Sequence, residues 1–130
     1  MTVVLDASAL LAYLKGEVGE KIVEEMLADS IISSVNWSVN WSEVIQKSIA
    51  TGIEVDGMLD CLQALGLTVE PFTLEDDESA GKLWAQTRQA GLSLGDRACL
   101  SLGLRLGEPV LTCDRAWASL NLSLDIQIIR

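Results

Sequence analysis

"TVVLDASALLAYL", residues Thr2 to Leu14, decides how the rest of the chain is to be read. Its first four residues are a short β-branched run ended by Asp6, and "SALLAYL" behind it has helical spacing, which predicts a strand, an acid and a helix in succession. Further strands are expected at "SIISSV" (Ser30 to Val35), "LTVEPF" (Leu67 to Phe72), "PVLTCD" (Pro109 to Asp114) and "IQII" (Ile126 to Ile129). Between them lie helical patterns. "EKIVEEMLA" sets Ile22, Val23, Met26 and Leu27 on one face. A helix running to about Ala50 stops at Thr51-Gly52, and "EVDGMLDCLQALG" stops at Gly66. "LEDDESAGKLWAQTRQAG" reads as one helix whose acids, Glu75 to Glu78, make a solvated first turn, and "SLGDRACLSLGLRLG" as an apolar helix ending at Gly107. Strands alternating with helices, several strands being apolar on both faces, predict an α/β fold with a parallel sheet covered on both sides.

The chain of 130 residues is one ordinary domain, 1–130, long enough to bury a core without disulfides or structural metals. Cys61, Cys99 and Cys113 are widely spaced and lack a C-x-x-C pattern, which predicts buried thiols in a reducing cytosol. The amino terminus carries Asp6 and no basic start, and no run nears the ~20 apolar residues of a membrane span, so a soluble cytoplasmic protein without a membrane partner is expected. Nine basic residues against nineteen acidic give a formal charge of −10, which argues against binding nucleic acid through a broad basic surface. The sequence contains no histidine. That removes Ser-His-Asp triads, Cys-His pairs and paired-histidine ribonuclease chemistry, so an enzyme here must work through carboxylates.

Asp6 after "VVL", Asp96 after "LSLG" and Asp114 after "VLTC" each end a strand or open a helix, and Glu43 is the first acid of the helix after the second strand. Ligands of open parallel sheets bind outside the carboxyl ends of the strands, where these four would converge. Gathered carboxylates repel and raise one another's pKa, and a hard divalent cation, Mg2+ above all, relieves this. Such an ion can activate a water and stabilise the leaving oxygen of a phosphodiester. Each acid has a plainer reading as well: Asp6, Asp96 and Asp114 as helix caps, Glu43 as a surface acid. A phosphoaspartyl protein is a different class with an Asp at a strand end. Its phosphatases use D-x-D where this chain has Asp6-Ala7-Ser8, and its receivers use paired amino-terminal acids and a late lysine that this chain lacks.

"VVLDASALLAYL", "NWSEV", "LSLGDRACLSLGLRLG" and "VLTCDRAW" together, in this order across nearly the whole chain, resemble the PIN-domain family and its VapC toxins of bacterial toxin–antitoxin pairs. The resemblance implies a PIN-like three-layer α/β/α fold with a central, mainly parallel sheet, and an Mg2+- or Mn2+-dependent endoribonuclease. It implies metal-binding and catalytic roles for Asp6, Glu43, Asp96 and Asp114. Thr112 would hydrogen-bond a metal-bound water or a neighbouring carboxylate, and Ser8 is a supporting residue. It also implies an RNA substrate, a VapB-like antitoxin whose arm brings an arginine to the acidic pocket, and a homodimer. The alternative is a PIN-fold protein-binding module that has lost nuclease activity. Trp41, Trp84 and Trp117 are read as core or interface packing, and Arg97 and Arg115 as exposed or acid-balancing rather than phosphate contacts.

One departure from the family pattern is the tetrapeptide Val-Asn-Trp-Ser, written twice from Val35 to Ser42 before Glu43. Four residues approximate one helical turn of ~3.6 and are an even number for a strand, so the insertion roughly keeps each later side chain on its face. Only the second copy is followed by glutamate, so the catalytic role is expected of the segment Asn40-Trp41-Ser42-Glu43 at the start of the helix, and Val35 to Ser38 are expected to continue the strand and its loop. The rival is a loosened connection that lets the helix shift or swap between subunits.

Overall fold

The strands are Val3–Leu5 (β1), Ser34–Trp37 (β2), Leu67–Glu70 (β3), Val110–Thr112 (β4) and Ile126–Ile128 (β5). The helices are Ala7–Lys15 (α1), Glu20–Ala28 (α2), Ser38–Ala50 (α3), Met58–Ala64 (α4), Leu74–Lys82 (α5), Trp84–Thr87 (α6) and Leu94–Leu106 (α7). This computed structural model describes residues 2–28 and 34–130, with the side chains of 28 and 34–38 left out. The expected strand from Ser30 therefore lies outside the described residues as far as 33.

All ladders are parallel, in the order β3-β2-β1-β4-β5. The chain builds outward from β1 to β2 and β3, then returns to the other side of β1 for β4 and β5. The switch point is consequently the gap between the carboxyl ends of β1 and β4.

Alternation within each strand divides the core into two layers. Val3, Leu5 and Leu111 face a cluster with Leu10 of α1, Val23 of α2, Val44 of α3 and Leu62 of α4. Val4 and Val110 face the other side, against Leu83, Leu100 and Leu102 and the fully buried Trp117. Helices thus cover both faces, and the three-layer α/β/α arrangement follows from three wholly buried residues in β1. α3 touches both α1 and α7, bringing the helices that carry Glu43 and Asp96 together. Among the described residues no helix is long and apolar enough to cross a membrane.

Three expectations need correction. The single helix over 74–91 is divided: α5 ends at Lys82, α6 follows Leu83, and a 3-10 turn runs over Arg88–Ala90. Leu83 keeps right-handed helical dihedrals, and its carbonyl accepts from the Gln86 amide three residues on as well as from the Thr87 amide and hydroxyl, so the path tightens rather than turns away. The acid run is not wholly solvated. Asp76 is buried, closes a capping box with Thr73, and pairs with Arg105 Nε at 3.2 Å. Nor are all the thiols buried, since Cys61 on α4 is exposed.

Gly103 of α7 lies where a methyl group would come within 2.5 Å of Val110 Cγ2 on β4. Val110 is fully buried in the sheet, and a β-branched side chain is stiff at χ1. Gly103→Ala is therefore expected to lower unfolding free energy by about 1–3 kcal/mol despite better helix propensity. Gly81→Ala, on α5 with nothing within 4 Å, is expected to raise it by about 0.5–1 kcal/mol. Urea unfolding of the two variants checks the pair, and equal shifts would contradict this packing of α7 on β4.

Candidate active site

Asp6 is both the end of β1 and the N-cap of α1. Its backbone is extended, and Oδ1 accepts from the Ala9 amide at 2.8 Å and the Ser8 hydroxyl at 2.7 Å. Oδ2 accepts a short hydrogen bond from the Thr112 hydroxyl, across the switch point on β4. Thr112 Oγ1 in turn accepts from the Asp114 amide at 3.1 Å, while Ser8 Oγ accepts from the Cys113 amide at 2.9 Å. Two hydroxyls thus stitch the ends of β1 and β4 together around one carboxylate. Of the two partners considered for Thr112, the structure shows the carboxylate.

The other acids are likewise held by local structure. Ser93 caps α7 and Asp96 closes the box: the Asp96 amide donates to Ser93 Oγ, and Asp96 Oδ2 accepts from the Ser93 amide at 2.9 Å. Asp114 Oδ1 accepts from the Ala116 amide at 2.9 Å, capping a 3-10 turn over Arg115–Ser119. The capping reading of Asp6, Asp96 and Asp114 is thus shown, and capping leaves each of them at a helix start. Glu43 sits on α3, its Oε2 3.1 Å from Lys47 Nζ one turn on.

All four acids line one cleft of about 240 Å3, with Ala7, Ser8, Lys47 and Ser93 completing the wall. Burial pushes the Asp6 carboxyl up from its usual 3.8 to about 6, against the lowering effect of the hydrogen bonds from Thr112, Ser8 and Ala9, with Asp96 adding repulsion. Asp96 is also raised, first by burial and then by the charges of Glu43 and Asp114. The acids therefore feel one another.

Hard oxygen donors in mutual repulsion are the chemistry a divalent cation fits. Among the described residues no three Asp, Glu or Cys side chains stand close enough to grip one ion by themselves. A hard cation that keeps waters and takes one or two carboxylates directly is the kind such oxygen donors can hold.

One cleft residue, Lys47, escaped the sequence reading, and the contact made by Asn40 of the expected segment was not foreseen. Lys47 follows Glu43 by four residues, a spacing that was a legible ion-pair signal. Asn40, almost fully buried, donates from its amide to the Gly95 carbonyl at 3.0 Å and ties α3 to the first turn of α7. Nothing in the sequence marks that long-range bond. The arginines of the two "DRA" triplets turn to backbone carbonyls: Arg97 Nη1 to Ala80 at 3.3 Å and Arg115 Nε to Arg130 at 3.2 Å. Trp117 is core and Trp41 packs partly buried against the α1–α4 layer, whereas Trp84 is 52% exposed with Arg88 stacked 5.3 Å from its ring.

A doubly covered parallel sheet with acids at its switch point defines a class of α/β proteins that bind ligands beyond the strand ends. Residues 3–121 match the PIN domain model, and the chain belongs to the PIN-domain family. Its structural neighbours are VapC toxins of VapBC systems. VapBC2 of Rickettsia felis, solved bound to a DNA fragment from its promoter, is similar at TM-score 0.70 and 16% identity over 98% of both chains. VapC20 of Mycobacterium tuberculosis, a sarcin–ricin loop cleaving toxin, is similar at TM-score 0.71 and 12% identity over 92% of this chain and 97% of that one. A toxin–antitoxin complex from Klebsiella pneumoniae gives 0.69 and 14% over 91% and 92%. No curated protein matches by sequence.

The raised Asp6 carboxyl makes a signed prediction. With a folded-state value of about 6 above an unfolded value of ~3.9, the native chain holds the proton more tightly between those limits. Its stabilising contribution is present below about pH 4 and lost as pH rises toward 6, by roughly 3 kcal/mol. In EDTA, the wild type is expected to lose that much more stability than Asp6→Asn between pH 4 and pH 7. Parallel pH profiles in urea unfolding would refute it.

Proposed function

We propose that this chain is a Mg2+- or Mn2+-dependent endoribonuclease of the VapC kind, acting in the cytoplasm and restrained by a VapB-like antitoxin. The observation that carries the reading is the cleft in which Asp6, Glu43, Asp96 and Asp114 meet at the β1/β4 switch point. Family membership and the toxin–antitoxin neighbours supply its context.

The bound cation would supply activation of a water and neutralisation of charge on the phosphodiester. The chain's own part is to hold carboxylates around that place. Asp6 and Asp96 present anchored oxygens from opposite layers, Asp114 comes from the far side of the switch point, and Glu43 stands on the α3 wall. Thr112 and Ser8 act as positioning residues, fixing the Asp6 carboxylate and its distance from Asp114. An acidic cleft also suits an antitoxin arm bearing arginine, whose planar fork pairs with carboxylates. A homodimer completes the proposal.

Purified, antitoxin-free protein should cleave RNA when Mg2+ or Mn2+ is added and stop in EDTA. Asp96→Asn should lose at least ~100-fold in rate, and Thr112→Val roughly 10–100-fold with weaker Mn2+ binding. A folded wild type that binds its antitoxin but cleaves no RNA with either metal would favour the protein-binding module instead. Co-purification of the gene pair tests the antitoxin, and sedimentation tests the dimer.

A further inference from the structure

Among the described residues that line the cleft, Lys47 carries the one positive charge. Its ammonium lies 3.1 Å from Glu43 Oε2, and its side chain is 53% exposed, so the pair is held loosely and the head is free to swing. An exposed i,i+4 pair of this kind contributes little to stability. Its importance is where it stands. The two arginines nearest the other acids are turned to backbone carbonyls at Ala80 and Arg130, and the chain carries nine basic residues against nineteen acidic ones. A polyanion approaching this cleft therefore meets carboxylates and one cation.

Resting on the nuclease reading above, we infer that Lys47 is an exchangeable counter-ion: it holds Glu43 while the cleft is empty, and yields it to the divalent cation to take a substrate phosphate at the lip. The exchange fits α3, since residues 43 and 47 lie one turn apart on the same wall and a four-carbon stem lets the ammonium move while the helix stays fixed. It also balances charge at each stage. Without metal, lysine offsets one acid. With metal and RNA present, the cation offsets the acids and lysine offsets a phosphate.

The exchange has a signature of opposed sign. Lys47→Met keeps the apolar stem and removes the competing charge, so Mn2+, measured by calorimetry or electron paramagnetic resonance, should bind about three- to tenfold more tightly. A fluorescent single-stranded RNA oligonucleotide, followed by anisotropy in Ca2+ with its integrity checked on a gel, should bind about three- to tenfold more weakly, the salt slope falling by about 0.7. Lys47→Arg should restore most of the RNA affinity. Circular dichroism should show all variants folded, as a half-exposed site on α3 allows. A merely structural lysine would weaken both ligands or neither, and either result overturns the inference, as does unchanged RNA affinity beside tighter Mn2+. Asp96→Asn separates the two levels: if it leaves wild-type Mn2+ affinity unchanged, the metal site itself is wrong and the role of Lys47 falls with it. If it weakens Mn2+ while Lys47→Met has no effect, Lys47 alone is wrong.

Discussion

A carboxylate buried at the switch point of a parallel sheet is the constraint on which the rest of this molecule turns. Asp6 sits almost fully buried at the end of a strand that is wholly inside the core. Leaving such a group charged is costly unless its oxygens are bonded. Here three donors meet it: the Ala9 amide, the Ser8 hydroxyl and the Thr112 hydroxyl. Burial still outweighs them, which is why the carboxyl titrates near 6. A globular fold built for stability alone would have an apolar residue or a simple serine cap here. The destabilised acid makes this position a candidate site, because the same oxygens that cost free energy in the empty protein are those a cation would reward.

The remaining acids show how one piece of local chemistry serves two ends. A carboxylate in the first turn of a helix is held by backbone amides and points beyond the helix end. Asp96 does this for α7, Asp114 for its 3-10 turn and Asp6 for α1. Because the helices start at the carboxyl edge of the sheet, capping also delivers the acids to one cleft. The capping box at Thr73 and Asp76 has the same chemistry but begins a helix elsewhere, and its aspartate is spent on Arg105. Location in the topology, and not the motif, separates a site acid from a structural one.

This explains what could be read in advance. The strand and helix order was legible because runs such as Val3–Leu5 and Val110–Thr112 are apolar on both faces, a pattern only a doubly covered strand produces. The positions of Asp6, Asp96 and Asp114 were legible because each follows such a run or opens a helix, and Glu43 because it is the first acid of α3. What stayed hidden depends on neighbours distant in sequence. Asp76 looked like one of four solvated acids until Arg105 lay beside it, and Asn40 gave no sign of its bond to Gly95. The break at Leu83 is similar, since its dihedrals remain helical and only the hydrogen-bond pattern changes.

The doubled tetrapeptide makes the same point within nine residues. Identical Val-Asn-Trp-Ser sequences take different structures: Val35, Asn36 and Trp37 pair in register with Thr68, Val69 and Glu70 of β3, while Val39 to Ser42 are helical. Local propensity is equal for the two copies, so context alone decides. The first copy adjoins a strand with an open edge to pair. In the second, Asn40, Val44 and Ser48 recur every four residues, and all three are buried along one side of α3. That spacing follows the helical turn and keeps the three side chains on the packed face of α3. Glu43, three residues after Asn40, is carried to the cleft by the same turn that joins α3 to α7. Within α3 the second copy thus supplies both the bond to α7 and the turn that carries Glu43.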